Sequence, residues 1–127
     1  SVLGYGESLL GPTIKVSNPA TVSMAFQNQL SEETNIHWHG LLVPANVDGH
    51  PKNVVSSGAS FNFALPINQR AGTYWYHPHP HGKTARQVFM GLAGFFIVND
   101  AEEQALNLPS DDRELLLVIQ DKRIENG

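Results

Sequence analysis

The sequence predicts an all-β domain, a sandwich or barrel of antiparallel strands. Hydrophobic residues recur with period two, and turn signals separate the alternating stretches at short intervals. Size is the third observation: 127 residues with 41% hydrophobic content suffice for one core and fall short of two domains.

The elements follow in order. Gly11-Pro12 opens the first strand candidate, Thr13 to Val16, and Asn18-Pro19 marks the turn after it. In Ala20 to Asn28, Val22, Met24 and Phe26 fall on one face, with mostly polar or small residues on the other. Asn35 to Val43 is the third candidate, followed by turns at Asp48-Gly49 and Ser57-Gly58. Phe61, Phe63 and Leu65 alternate in a fourth, and Ala71-Gly72 precedes a fifth, Thr73 to His77. Leu92 to Val98 is a sixth. Asp100 and Glu103 then have capping-box spacing ahead of Gln104-Ala105-Leu106, which predicts a short helix ending before Pro109. The acidic, polar stretch from Asn99 to Glu114 reads as a linker. It leads into a last strand, Leu115 to Ile119, and a turn-like Glu125-Asn126-Gly127, as though a further strand followed.

Composition excludes some functions. With 8 basic and 12 acidic residues the net charge is -4, and no basic run exists to meet nucleic acid. The longest apolar stretches, such as Gly94 to Val98, are strand length and far below the roughly 20 residues of a membrane helix. No secretory signal is visible, although Ser1 is compatible with following a cleaved one. There is no cysteine, so redox compartment is not readable from disulfides.

Chemistry concentrates in the histidines. His37-Trp38-His39 and His77-Pro78-His79, with His81 close behind, hold five of the six. In an extended segment alternate side chains project to one face roughly 6.5–7 Å apart, so each His-x-His pair presents two imidazoles side by side. In the first pair, Ile36 and Trp38 face one way and the two imidazoles the other. In the second, Pro78 and Pro80 remove ladder donors, which predicts an edge or a strand end opening into a loop, and their fixed φ angles orient the rings in advance. One pair alone would be an ordinary solvent-facing strand; two pairs point to a metal site. Neutral imidazole suits zinc, copper, iron and nickel, and four histidines without cysteine are also compatible with tetrahedral zinc. Asp48 by itself reads as a turn residue and His50 as a surface residue. Met24 and Met90 belong to the core, while Trp38, Trp75, Tyr74 and Tyr76 wall the site or fill the core.

Thr34 to Gly40, then His77 to Thr84, then Gln87 to Gly94 together resemble the first cupredoxin domain of multicopper oxidases, nearest to the laccase-like enzymes of the bacterial copper-efflux type. Leu9 to Pro12 and Asn28 to Leu30 fit the same family, so the resemblance covers most of the chain.

The resemblance implies a cupredoxin-like Greek-key β-sandwich over residues 1–100, with residues 101–127, including the short helix, as linker and strand leading toward a following domain. It implies copper as cofactor, in a trinuclear cluster of one type 2 and two type 3 ions that takes four imidazoles from each of two domains. His37 resembles the type 2 ligand, and His39, His77 and His79 the type 3 ligands. His81 lies outside the set. Asp48 stands where the family has an acid that assists proton delivery to reduced oxygen. Lys83 and Arg86 follow the family pattern without an assigned role.

A blue copper site needs a cysteine thiolate, which this chain lacks. The expectation is therefore a domain that half builds the cluster, with the remaining cupredoxin domains on another chain or cut away. An absent blue copper would oxidise a phenol, an aromatic amine or cuprous ion and pass electrons to the cluster, where dioxygen becomes water. The expected location is periplasmic or secreted. Competing readings are a zinc- or copper-binding module without turnover, a structural relative that has lost its copper, and an unrelated histidine-rich β domain. Structural relatives usually lose the histidines, which are intact here.

Overall fold

The computed structural model describes residues 2–6 and 9–125. Among these residues, six strands form two sheets. In the smaller, β2 (Ala20–Gln27) pairs antiparallel with β4 (Ser60–Ile67) along its whole length, Ala20 opposite Ile67 and Gln27 opposite Ser60. In the larger, the spatial order is β1 (Ile14–Ser17), β6 (Gly94–Asn99), β5 (Gly72–His77) and β3 (His37–His39). Period two in the sequence becomes inward and outward alternation. Phe63, Leu65 and Ile67 of β4 are buried, and Val22, Met24 and Phe26 of β2 pack against the same core. Trp38, fully buried at 0% exposure, sits at its centre edge-on to Phe63 and Phe96, and its indole Nε1–H donates to the Val47 carbonyl at 3.0 Å. An indole in a core keeps such a partner because an unpaired buried donor is costly.

Asp100 N-caps the predicted helix, α2 (Ala101–Ala105), by accepting from the Glu103 amide. The same carboxylate accepts from the Ala71 amide and from Arg70, and these bonds hold it down at about 2.

Four expectations need correction. The sandwich is not wholly antiparallel, since β1 runs parallel to β6, a pairing set by the chain's crossover rather than by local pattern. The strand expected over Asn35 to Val43 is confined to β3, because Gly40 adopts φ +88° and turns the chain out of the ladder. A short helix, α1 (Thr84–Phe89), interrupts the strand pattern where the sequence shows no helical periodicity. Leu115 to Ile119 forms no strand: it pairs with nothing among the described residues, and Leu115 and Ile119 are 82% and 96% exposed. The expected Glu125 to Gly127 turn falls mostly outside the described residues.

Candidate metal centre

The β3–β5 register builds the site. His37 lies opposite His77, Trp38 opposite Tyr76, and His39 opposite Trp75. Directly opposed residues of an antiparallel pair project to the same face. Trp38 and Tyr76 therefore enter the core, while His37, His39, His77 and Trp75 share the outer face. The Pro78 segment is a strand end, as expected, but not an edge: β5 is flanked by β6 and β3.

Ligand-capable atoms of His37, His39 and His77 all lie within 4.8 Å of one another. His79, just past the end of the ladder, places its ring 5.4 Å from that of His37 and 6.0 Å from that of His77. The four expected imidazoles are thus neighbours. His81 and His50 are exposed, and His50 Nδ1 accepts from the Lys52 amide. Met24 packs on the core, and Met90 Sδ accepts from Arg86.

Backbone carbonyls set the tautomers. A carbonyl can only accept, so His37 Nδ1–H donates to Asp48 O and His77 Nδ1–H donates to Pro78 O, each at 2.8 Å. Both rings are left with an Nε2 lone pair. Burial pushes His77 down to about 4; the Pro78 carbonyl opposes this shift, and the His37, His39 and His79 rings reinforce it. Neutral, nitrogen-donating rings are what copper or zinc requires, so the donor set fits copper. It takes no carboxylate into the group of three.

Asp48 approaches through the turn that follows β3. Its Oδ1 is buried without a hydrogen-bond partner and lies 3.3 Å from His37 Nδ1. Gly49, at φ +71°, packs so tightly on the β3 entry that a Cβ there would collide with the Ile36 carbonyl.

Helix α1 forms the far wall. Thr84, Ala85 and Val88 face Trp75 and the histidines across an open depression of about 350 Å³. Trp75 stacks on His39 with centroids 5.0 Å apart, so it walls the site rather than filling the core. The helix is fixed by Gln87, which is fully buried: it accepts from Thr34 Oγ1 at 2.8 Å and donates to the Glu33 carbonyl at 3.0 Å. Lys83 pairs with Glu33 and Arg86 with Glu32, which gives both basic residues a role as clamps. For Gln87 and for Asn35 the sequence carried no signal beyond their places in the family-like segments; the Asn35 side chain bonds the Gly49–His50 turn and the His79 amide.

A sequence model described as multicopper oxidase matches residues 1–103. The multicopper oxidase mco of Staphylococcus haemolyticus is 41% identical over 124 residues, covering 96% of this chain and 27% of the relative. The cell division protein FtsP of Shigella dysenteriae is 39% identical over 130 residues, covering 99% of this chain and 27% of the relative. Among solved structures, a laccase-like multi-copper oxidase from Ochrobactrum sp., with oxidase activity towards lignin model compounds and lignosulfonate, superposes with TM-score 0.80 at 41% identity, over 85% of this chain and 24% of that one. The chain thus spans about a quarter of the length of the relatives it matches. Its all-β fold is cupredoxin-like. By sequence model, by relatives and by structure, the chain belongs to the multicopper oxidase family.

Proposed function

We propose that this domain supplies His37, His39, His77 and His79 as half of a trinuclear copper site. The enzyme would couple one-electron oxidation of phenols, aromatic amines or cuprous ion to reduction of dioxygen to water. The observation that carries the reading is the convergence of His37, His39 and His77 on one face through the β3–β5 register, with the His79 ring beside that of His37. His37 is the proposed type 2 ligand, the other three the type 3 ligands. The partners are the remaining cupredoxin domains, which contribute the other imidazoles and the blue copper cysteine. Residues 1–100 form the domain, residues 101–127 lead to the next, and the expected location is periplasmic or secreted.

Copper bound here supplies one-electron redox chemistry and a template for dioxygen. The chain's own residues prepare its place. The Asp48 and Pro78 carbonyls hold the His37 and His77 tautomers that leave each Nε2 lone pair for a metal ion. Trp75 covers one side of His39 and, with Val88, limits water. Asp48 is the proposed proton-delivery residue. Dioxygen becoming two waters consumes four electrons and four protons by stoichiometry, and the Oδ1 of Asp48 is a buried acceptor that forms no hydrogen bond among the described residues, 3.3 Å from His37 Nδ1.

The test uses the complete polypeptide carrying this domain. Metal analysis and oxygen uptake with a phenol should show copper and turnover; a His37→Ala/His77→Ala double variant should be depleted in copper and lose turnover. Full copper in that variant would overturn the reading. A second reading, a structural protein without oxidase turnover, is favoured by the resemblance to cell division protein FtsP. Wild-type protein from copper-fed cells that holds no copper and consumes no oxygen would establish it instead.

A further inference from the structure

The sheet explains three of the four imidazoles but not the fourth. The β3–β5 ladder ends at His77, and His79 follows Pro78, beyond any strand pairing. Outside the ladder a backbone N–H needs another partner, and a loop needs another constraint. Both come from Asn35.

Asn35 is 1% exposed and stands two residues before His37. Its Oδ1 accepts from the His79 amide at 2.6 Å. Its Nδ2 donates to the carbonyls of Gly49 at 2.9 Å and His50 at 3.2 Å. Those carbonyls belong to the turn whose preceding residue, Asp48, accepts from His37 Nδ1. One buried amide therefore ties the His79 backbone to the turn that orients the His37 ring. The bonds use both ends of the group, an acceptor toward His79 and donors toward the turn, so no apolar residue and no single-function polar residue can replace it. Resting on the copper-site reading above, we propose that Asn35 is the positioning residue that holds His79, and through the Gly49 turn His37, in copper-binding geometry.

The experiment compares Asn35→Leu, Asn35→Asp and the control His79→Ala in the complete polypeptide, titrating loaded protein with a copper chelator. Asn35→Leu removes every bond and should release copper at chelator concentrations about 10–100-fold lower than wild type, the range for residues that orient a metal ligand. Asn35→Asp keeps an acceptor for the His79 amide but loses the donors to the turn. It should keep its copper while altering the copper electron paramagnetic resonance spectrum through His37, a change that loss of stability alone does not produce. Wild-type retention in Asn35→Leu beside a depleted His79→Ala overturns the inference and leaves the copper-site reading standing. Full copper in His79→Ala overturns that reading itself. A wild-type spectrum in Asn35→Asp overturns the link to His37. Should Asn35→Leu not fold, hydrogen exchange of the wild-type protein decides the His79 bond. The His79 amide, though outside the ladder, should exchange about 100-fold or more slower than an unstructured peptide, and exchange at the peptide rate overturns the inference.

Discussion

His39 Nδ1 and His77 Nε2 lie 3.1 Å apart, a hydrogen bond between two imidazoles. Its direction follows from the surroundings. His77 Nδ1–H is committed to the Pro78 carbonyl, so a neutral His77 has only a lone pair to offer and His39 must donate. Protonating His77 would reverse the bond, with His39 accepting at Nδ1 in its other tautomer.

That arrangement predicts the acid response of the metal-free protein. The folded value for His77 is lowered from 6.5 to about 4, so between these values the unfolded chain binds the proton and the folded chain does not. The contribution is fully present above about 6.5 and lost as pH falls toward about 4. Denaturation midpoints of the copper-free complete protein should fall from pH 7.5 to pH 5, and His77→Gln should flatten that fall. An equal fall in both proteins counts against the assignment.

Ligand and bystander should separate along His77 to His81. His79→Ala in the complete enzyme should lose copper and abolish oxygen reduction, whereas His81→Ala, at an exposed position, should leave copper content nearly unchanged. Equal copper loss in the two would show the proposed register to be wrong.

Asp48→Asn tests proton delivery apart from binding. The variant should keep its copper and its electron acceptance, but reoxidise in oxygen about 10²–10⁴-fold slower, the contribution of a positioned acid, most clearly at higher pH. Asn forms the same turn equally well, so a purely structural Asp48 predicts wild-type single-turnover reoxidation at every pH.

Gly49→Ala tests the turn itself. A side chain at φ +71° costs about 1–2 kcal/mol before any collision, and here the Cβ meets the Ile36 carbonyl beside His37. The variant should lose at least about 2 kcal/mol in urea denaturation. Gly58→Ala, also at positive φ but with open space around it, should lose less.

What could be read from the sequence was whatever depends on alternation. His37 and His39 opposite Trp38 needed only period two, and the inward set of β4 likewise. The capping pair Asp100 and Glu103 announced α2 locally. Helix α1 escaped because Lys83 offers no side-chain cap and six residues give too little periodicity; its anchor, Gln87, bonds to residues more than fifty positions away. The parallel β1–β6 pairing and the reach of Asn35 to His79 are likewise products of chain closure. At Leu115 to Ile119 the pattern was strand-like, but a strand needs a neighbour to pair with, and none is present among the described residues.

That unpaired ribbon governs how the 127 residues behave in a tube. Leu115, Leu117 and Ile119 are 82%, 77% and 96% exposed, in a five-residue run with no charge, proline or glycine to interrupt it. Such a run with free backbone edges is a template for stacking between copies. Handled alone, the domain should self-associate as its concentration rises. Glu or Lys at Leu117 and Ile119 should keep it monodisperse in sedimentation without touching the histidine face.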